Sequence, residues 1–266
     1  MSVSDLREFF VETPKGRLFV SQWVVEGGAD KAPIILLHDS LGAVSLWRDF
    51  PVKLVEATGR SVVAYDRLGF GRSDPYPGAI PMDFIRREAI EGLGPVCQAL
   101  GLDRWVLLGH SVGGGMAVPG GAAYPDQTEA VVTIAAQAFV ENLTRAGIRE
   151  AEILFADEAQ LARLARYHGD KARWVLDAWM GPWLSAQFDN WSLNEDLEQL
   201  KAPLLVLHGD ADEYGSKAQA ERLRDHASAG AQMHILKDCH HMPHKEKTDE
   251  VLGLIVSFLD GAASPI

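Results

Sequence analysis

Apolar residues recur along this chain in two rhythms that take turns. Short unbroken runs have the length and β-branched content of strands buried on both faces. They are Ile34-Ile35-Leu36-Leu37, Ser61-Val62-Val63-Ala64-Tyr65, residues 105–109, Val131-Val132-Thr133-Ile134-Ala135, Leu204-Leu205-Val206-Leu207 and Gln232-Met233-His234-Ile235-Leu236. Between them, from Leu46 to Thr58, Met82 to Leu100, Val112 to Tyr124, Lys217 to Asp225 and Glu250 to Leu259, the spacing predicts helices. Such alternation specifies an α/β fold, a mostly parallel sheet with helices on both faces. Ahead of it, Phe9 to Thr13 and Arg17 to Trp23 flank Pro14-Lys15-Gly16 and read as an antiparallel pair joined by a tight turn. Pro119-Gly120-Gly121 predicts a kink or early end in the helix that starts at Val112. The rhythm stops between about Ala138 and Leu200, where the chain turns helical, charged and rich in tryptophan, as an insertion would. Gly261 to Ile266 reads as a frayed tail.

Composition narrows the class. With 47% hydrophobic and 23% charged residues over 266 positions, the chain can bury a substantial core as one domain with an insertion. The 25 Lys and Arg against 37 Asp and Glu give a net charge of -12, which argues against nucleic acid and anionic membrane surfaces and favours a small-molecule substrate. Self-association into a homo-oligomer is left open. Cys97 and Cys239 stand far apart without metal-ligand spacing, so neither a disulfide framework nor a zinc site is expected. Residues Met1 to Glu8 lack the apolar core of a signal peptide and no later run is long enough to span a bilayer, so the expected location is cytoplasmic.

The chemistry is concentrated where strands end. Gly109-His110-Ser111-Val112-Gly113 carries the chain from a strand into a helix within one residue, which holds the Ser111 hydroxyl out at the tip of a sharp turn. The free N–H groups at the helix start, Val112 first, face the same spot and suit a developing oxyanion. A serine hydroxyl is a weak nucleophile at neutral pH and needs a base, itself oriented by an acid. Strand 204–207 runs into His208-Gly209-Asp210-Ala211-Asp212-Glu213, and strand 232–236 runs into Cys239-His240-His241-Met242-Pro243-His244. The order is therefore serine, acid, histidine. The loop His38-Asp39-Ser40-Leu41-Gly42 after the first parallel strand stands where a second oxyanion donor is required. His38 reads as a buried structural residue, Cys239 as a packed thiol, and Asp66-Arg67 as an ion pair that fastens a loop.

On these segments, together with residues 65–74, the chain resembles the α/β-hydrolase superfamily over nearly its whole length. The resemblance implies an eight-stranded sheet, a core of 1–137 and 201–266, and a helical cap at 138–200 between strands six and seven. It selects Asp212 as triad acid and His241 as base. Two positions depart from the family pattern. His38-Asp39 replaces the usual His-Gly, with Asp39 expected to point away from the oxyanion hole, held by backbone or a basic partner, and Ser40 N–H to act as donor beside Val112 N–H. His240 replaces the usual glycine before the base.

The expected activity is hydrolysis of a small or medium ester, thioester or lactone through an acyl-enzyme, with no metal or organic cofactor. The same triad also serves acyltransferases, perhydrolases and C–C bond hydrolases, and a non-catalytic binding protein of this fold is the remaining alternative. In the cap, Trp174, Trp179, Trp183 and Trp191 recur with Met180 and Phe188. Most of that stripe is expected to pack on the core, with Trp179 and Trp183 lining the pocket. One of Arg145, Arg149, Arg163, Arg166 and Arg173 is a candidate to meet a substrate carboxylate.

Overall fold

The computed structural model describes residues 3–25 and 31–262. The first two positions of the Met1-to-Glu8 segment and residues 263–266 of the expected tail lie outside the described residues, while Gly261 belongs to the last helix. Eight strands form one sheet among the described residues: β1 (Val3–Thr13), β2 (Gly16–Val25), β3 (Ile34–Leu37), β4 (Val62–Tyr65), β5 (Trp105–His110), β6 (Thr128–Ile134), β7 (Leu204–Gly209) and β8 (Ala231–Leu236). Their spatial order is β1-β2-β4-β3-β5-β6-β7-β8. β1 and β2 run antiparallel to their neighbours and all later pairs are parallel. β1 is longer than its apolar stretch at 9–13. Its residues 4–8, polar except for Leu6, are exposed and join the sheet through the backbone ladder to β2, which needs no buried side chains at an edge.

Eleven α-helices are described: α1 (Phe50–Thr58), α2 (Phe84–Glu88), α3 (Gly94–Ala99), α4 (Val112–Ala123), α5 (Asn142–Leu154), α6 (Glu158–His168), α7 (Ala172–Leu184), α8 (Asn194–Gln199), α9 (Lys217–His226), α10 (Pro243–Glu246) and α11 (Thr248–Ala262). The expected helix from 46 to 58 divides into a short 3-10 turn at Val44–Trp47 and α1, because Arg48 adopts a positive φ of 57°. A π-helical turn at Ala89–Leu93 joins α2 to α3. The predicted break at Pro119 does not occur, and α4 continues to Ala123. Pro119 removes a single backbone bond, while Gly120 and Gly121 lie so close to Leu107 and Leu200 that larger residues would hold α4 off the sheet. Close packing outweighs weak local propensity here.

Alternation along the central strands divides the core. Ile35 and Leu37 pack with Leu107 and Val131 on one face, and Ile34 and Leu36 with Val106, Leu108 and Val132 on the other. The parallel register aligns Leu37 with Gly109, His110 with Ile134, Ile134 with Leu207 and Gly209 with Leu236. The loops after β3, β5, β6, β7 and β8 therefore leave the sheet at one edge, and α5 to α8 fill the chain between β6 and β7 over that region. No described helix is long and apolar enough to cross a membrane.

Candidate active site

At the end of β5 the backbone of Ser111 takes φ 55° and ψ −126°, a conformation rare for a residue with a side chain. The turn is held by Ser111 N–H donating to Ile134 O at 2.9 Å and by Ser111 O accepting from the N–H groups of Gly114 and Gly115. Two glycines make it feasible. A Cβ on Gly109 would lie 2.1 Å from Gly113 O, and one on Gly113 would lie 2.1 Å from Leu37 O. The N–H of Val112 opens α4, and neither it nor the N–H of Ser40 meets an acceptor among the described residues.

The loop after β8 brings His241 onto this hydroxyl, with Nε2 3.0 Å from Ser111 Oγ. Its Nδ1 lies 2.9 Å from both carboxylate oxygens of Asp212. Asp212 Oδ1 also accepts from the N–H groups of Tyr214 at 2.8 Å and Gly215 at 3.0 Å. Burial opposes ionisation of Asp212, yet the His241 hydrogen bond, the neighbouring imidazoles and the Tyr214 N–H outweigh it and hold the carboxyl below its usual range. The other candidates are engaged elsewhere. Asp210 is exposed and accepts from Cys239 N–H, while exposed Glu213 accepts from His241 N–H. His240 faces outward and pairs with Glu246. His244 is buried against Trp47 and Phe50.

Asp39 borders the cavity beside Ser111, with its carboxylate held by a backbone N–H and by His110. Its Oδ1 accepts from Leu41 N–H at 2.9 Å and its Oδ2 lies 3.3 Å from His110 Nδ1. Burial pushes this carboxyl up, but the His110 hydrogen bond and charge, together with the Leu41 N–H, more than offset that and hold it far below the usual carboxylate range. His38 is buried and structural, with Nδ1 on Asp39 O and Nε2 accepting from Arg67 N–H. Burial and the Arg67 charge lower its pKa well below the ordinary value, which keeps the ring neutral. Asp66 fastens its loop without an ion pair to Arg67, since its carboxylate accepts from the N–H groups of Val44 and Arg72. Arg67 instead stacks on Phe70 and donates to Asp39 O.

Over Ser111 lies a cavity of about 190 Å³. Trp179 and Trp183 from α7 and Thr144 and Ile148 from α5 line it. No arginine or lysine lines it among the described residues. Arg145 is spent on Asp189 and the carbonyls of Trp183 and Ser185, and the other four candidate arginines are exposed. Two further residues enter the wall. Gln137 is buried after β6, with Oε1 3.3 Å from Ser111 Oγ, so the one hydroxyl hydrogen faces two acceptors. Tyr214 follows Asp212 and places its ring 4.9 Å from that of His241. The sequence signal for both is position alone, immediately past a strand that ends at the active edge.

Residues 34–254 match the model of the alpha/beta hydrolase family. The chain belongs to that family and is a hydrolase. It is similar to the serine hydrolase BPHL of Mus musculus, 28% identical over 239 residues that span 87% of this chain and 80% of that protein. It is also similar to a proline iminopeptidase of Lactobacillus acidophilus, 24% identical over 276 residues, covering 89% of this chain and 93% of the relative. Among solved structures, a serine hydrolase from the polyaromatic-hydrocarbon-degrading bacterium Cycloclasticus zankles superposes with a TM-score of 0.80 at 18% identity, over 98% of this chain and all (100%) of that one. That likeness bears on the fold.

Proposed function

We propose that this protein hydrolyses a small or medium carboxylic ester, thioester or lactone through an acyl-enzyme on Ser111. The observation that carries the reading is the unbroken hydrogen-bonded chain from Ser111 Oγ through His241 to Asp212 at the floor of the cavity. His241 Nε2 removes the hydroxyl proton as Ser111 Oγ attacks the carbonyl carbon. The N–H groups of Ser40 and Val112 hold the oxyanion, and Asp212 orients His241 and offsets its positive charge. Collapse expels the alcohol or thiol, which takes the proton from His241. Water activated by the same imidazole then releases the acid and restores Ser111. Ser111, His241 and Asp212 are already in contact, and the steps as written call on no metal or organic cofactor.

Residues 138–200 act in this reading as a cap over the core of 1–137 and 201–266. Trp179 and Trp183 are its contribution to the acyl pocket. A cavity of about 190 Å³ with an apolar roof suits a short acyl chain or a single ring. The two buried free thiols, Cys97 and Cys239, fit a reducing compartment such as the cytoplasm.

Intact-mass measurement after treatment with a fluorophosphonate tests the mechanism. Wild type is expected to gain one adduct and Ser111→Ala none, with p-nitrophenyl ester turnover falling about 10⁵-fold or more in the variant. A variant that keeps its turnover excludes Ser111 as the nucleophile. Carrying out the reaction in ¹⁸O-water places label in the released acid if water is the acceptor, and an added alcohol or thiol captures the acyl group if it is not.

A further inference from the structure

Two residues beside the nucleophile have no part in the steps above. His110 directly precedes Ser111 and is buried, with 1% of its side chain exposed. Its Nε2 lies 2.8 Å from the main-chain oxygen of His241, and its Nδ1 lies 3.3 Å from Asp39 Oδ2. Both partners are acceptors. A peptide carbonyl accepts only, and an ionised carboxylate accepts only. Both ring nitrogens of His110 thus face acceptor atoms, an arrangement that a ring with a hydrogen on each nitrogen would satisfy opposite the Asp39 carboxylate.

We propose that His110 and Asp39 form a buried ion pair that positions the catalytic groups by tying three loops together. On one side, Asp39 shapes the loop after β3. Its carboxylate accepts Leu41 N–H at 2.9 Å, and its main-chain oxygen accepts Gly42 N–H at 3.1 Å, so Ser40 N–H is carried on a turn closed at both ends. On the other side, His110 grips the backbone of His241, whose ring must stay 3.0 Å from Ser111 Oγ. His110 itself rides on the strand that ends in Ser111. The proposal rests on the esterase reading above for the roles of Ser40 and His241.

The pair also accounts for an acidic residue in a place that ought to disfavour one. An unpaired anion beside the developing oxyanion would raise the barrier, and a cation at hydrogen-bond distance cancels most of that field. The remaining charged and titratable groups around His110 do not supply a rival anion. From the loop after β3 comes His38, kept neutral by burial and the Arg67 charge. From the loop after β8 comes His241, its ring centroid 5.1 Å away. From α10 come His244, with centroid 4.6 Å away and pKa lowered well below its ordinary value by burial and the His110 charge, and Lys245. Arg67 approaches through the Asp39 carbonyl.

Two measurements test the pair independently. The first is ¹⁵N NMR of histidine side chains in the wild type and Asp39→Asn near neutral pH. The wild-type spectrum is expected to contain one histidine, absent from His110→Gln, with hydrogens on both ring nitrogens. In Asp39→Asn that ring is expected to lose the hydrogen at Nδ1 while keeping the one at Nε2. A bare Nδ1 on His110 in the wild type overturns the proposal, whatever the variants do and whatever the substrate is.

The second is p-nitrophenyl ester kinetics for Asp39→Asn, His110→Gln and the double variant, with melting temperatures to show that each is folded. Each single variant is expected to lose about tenfold to a hundredfold in kcat with KM within about twofold, as small displacements of reacting groups do. Because the residues act as one unit, the double variant should be no slower than the slower single one. Additive losses, or single variants with wild-type kcat, refute a positioning unit. Loss of fluorophosphonate labelling in the wild type would instead strike at the esterase reading and leave the NMR result standing.

Discussion

At Glu88 a carboxyl outside the cavity over Ser111 makes stability depend on pH near neutrality. Its Oε1 accepts the Tyr65 hydroxyl at 2.7 Å, and burial pushes its pKa up from 4.5 to about 7, with Arg67 and Tyr65 offsetting only part of the shift. At pH below 4.5 the folded and unfolded chains both hold this proton. Between 4.5 and about 7 the unfolded chain gives it up while the folded chain keeps it, so stability falls as pH rises through that window and then levels off. Glu88→Gln keeps the acceptor for Tyr65 and removes the titration. The variant should therefore gain on wild type between pH 5 and pH 8, by on the order of 2–3 kcal/mol. Urea unfolding at the two values checks this, and parallel curves for the two proteins would show that Glu88 ionises normally. Among the residues over Ser111, Trp179 and Trp183 lie on a stripe that helical spacing marks, but the spacing alone does not separate pocket lining from packing on the core. Gln137 and Tyr214 carry no such mark, because their place in the cavity depends on where two loops end relative to each other, which no local pattern encodes.

The β5–Ser111–α4 element concentrates its strain in one turn, and its glycines are what let the turn close. Gly113→Ala would put a methyl carbon 2.1 Å from the carbonyl oxygen of Leu37, which belongs to the central strand β3 and has little room to retreat. The substitution should cost about 3 kcal/mol of stability and, in the proposed reaction, move Val112 N–H off its line to the oxyanion, lowering kcat more than it raises KM. A variant with an unchanged urea midpoint would mean that the elbow relaxes freely. The same element shows where sequence reading succeeds and where it stops. β3, β5 and β7 are fully buried, so unbroken apolar runs betray them. The polar half of β1 and the persistence of α4 past Pro119 were missed because both are decided by neighbours, a ladder partner in one case and the sheet surface under two glycines in the other. The order of serine, acid and histidine came from motifs at strand ends, but choosing Asp212 over Asp210 and His241 over His240 required the family pattern. The fold then separates each pair physically, by burial for the acids and by facing direction for the histidines.

For the molecule as a whole, the question is how a family fold acquires its own substrate, and the division of labour between sheet and helices answers it. Ser111, Asp212 and His241 hang from loops at one edge of a sheet buried on both faces, which leaves little freedom to change them without loss of the core. The roof is built differently. Trp183 is 2% exposed and packs edge-on against Phe188 and Trp191, so it belongs to the core as much as to the cavity. Trp179, one turn earlier on α7, is only partly buried and touches Tyr214 across the cavity. Trp183→Ala should therefore cost about 3–5 kcal/mol and compromise the fold. Trp179→Ala should cost far less stability and instead lengthen the pocket. If the esterase reading holds, the ratio of kcat/KM for a p-nitrophenyl hexanoate over the acetate should rise about tenfold in Trp179→Ala, with the acetate rate itself little changed. The comparison is internal to one enzyme, so it is insensitive to expression or active fraction. An unchanged ratio would move the acyl pocket away from α7 and toward the Gln137 side of the cavity, and the same ester series on Gln137→Ala would then locate it.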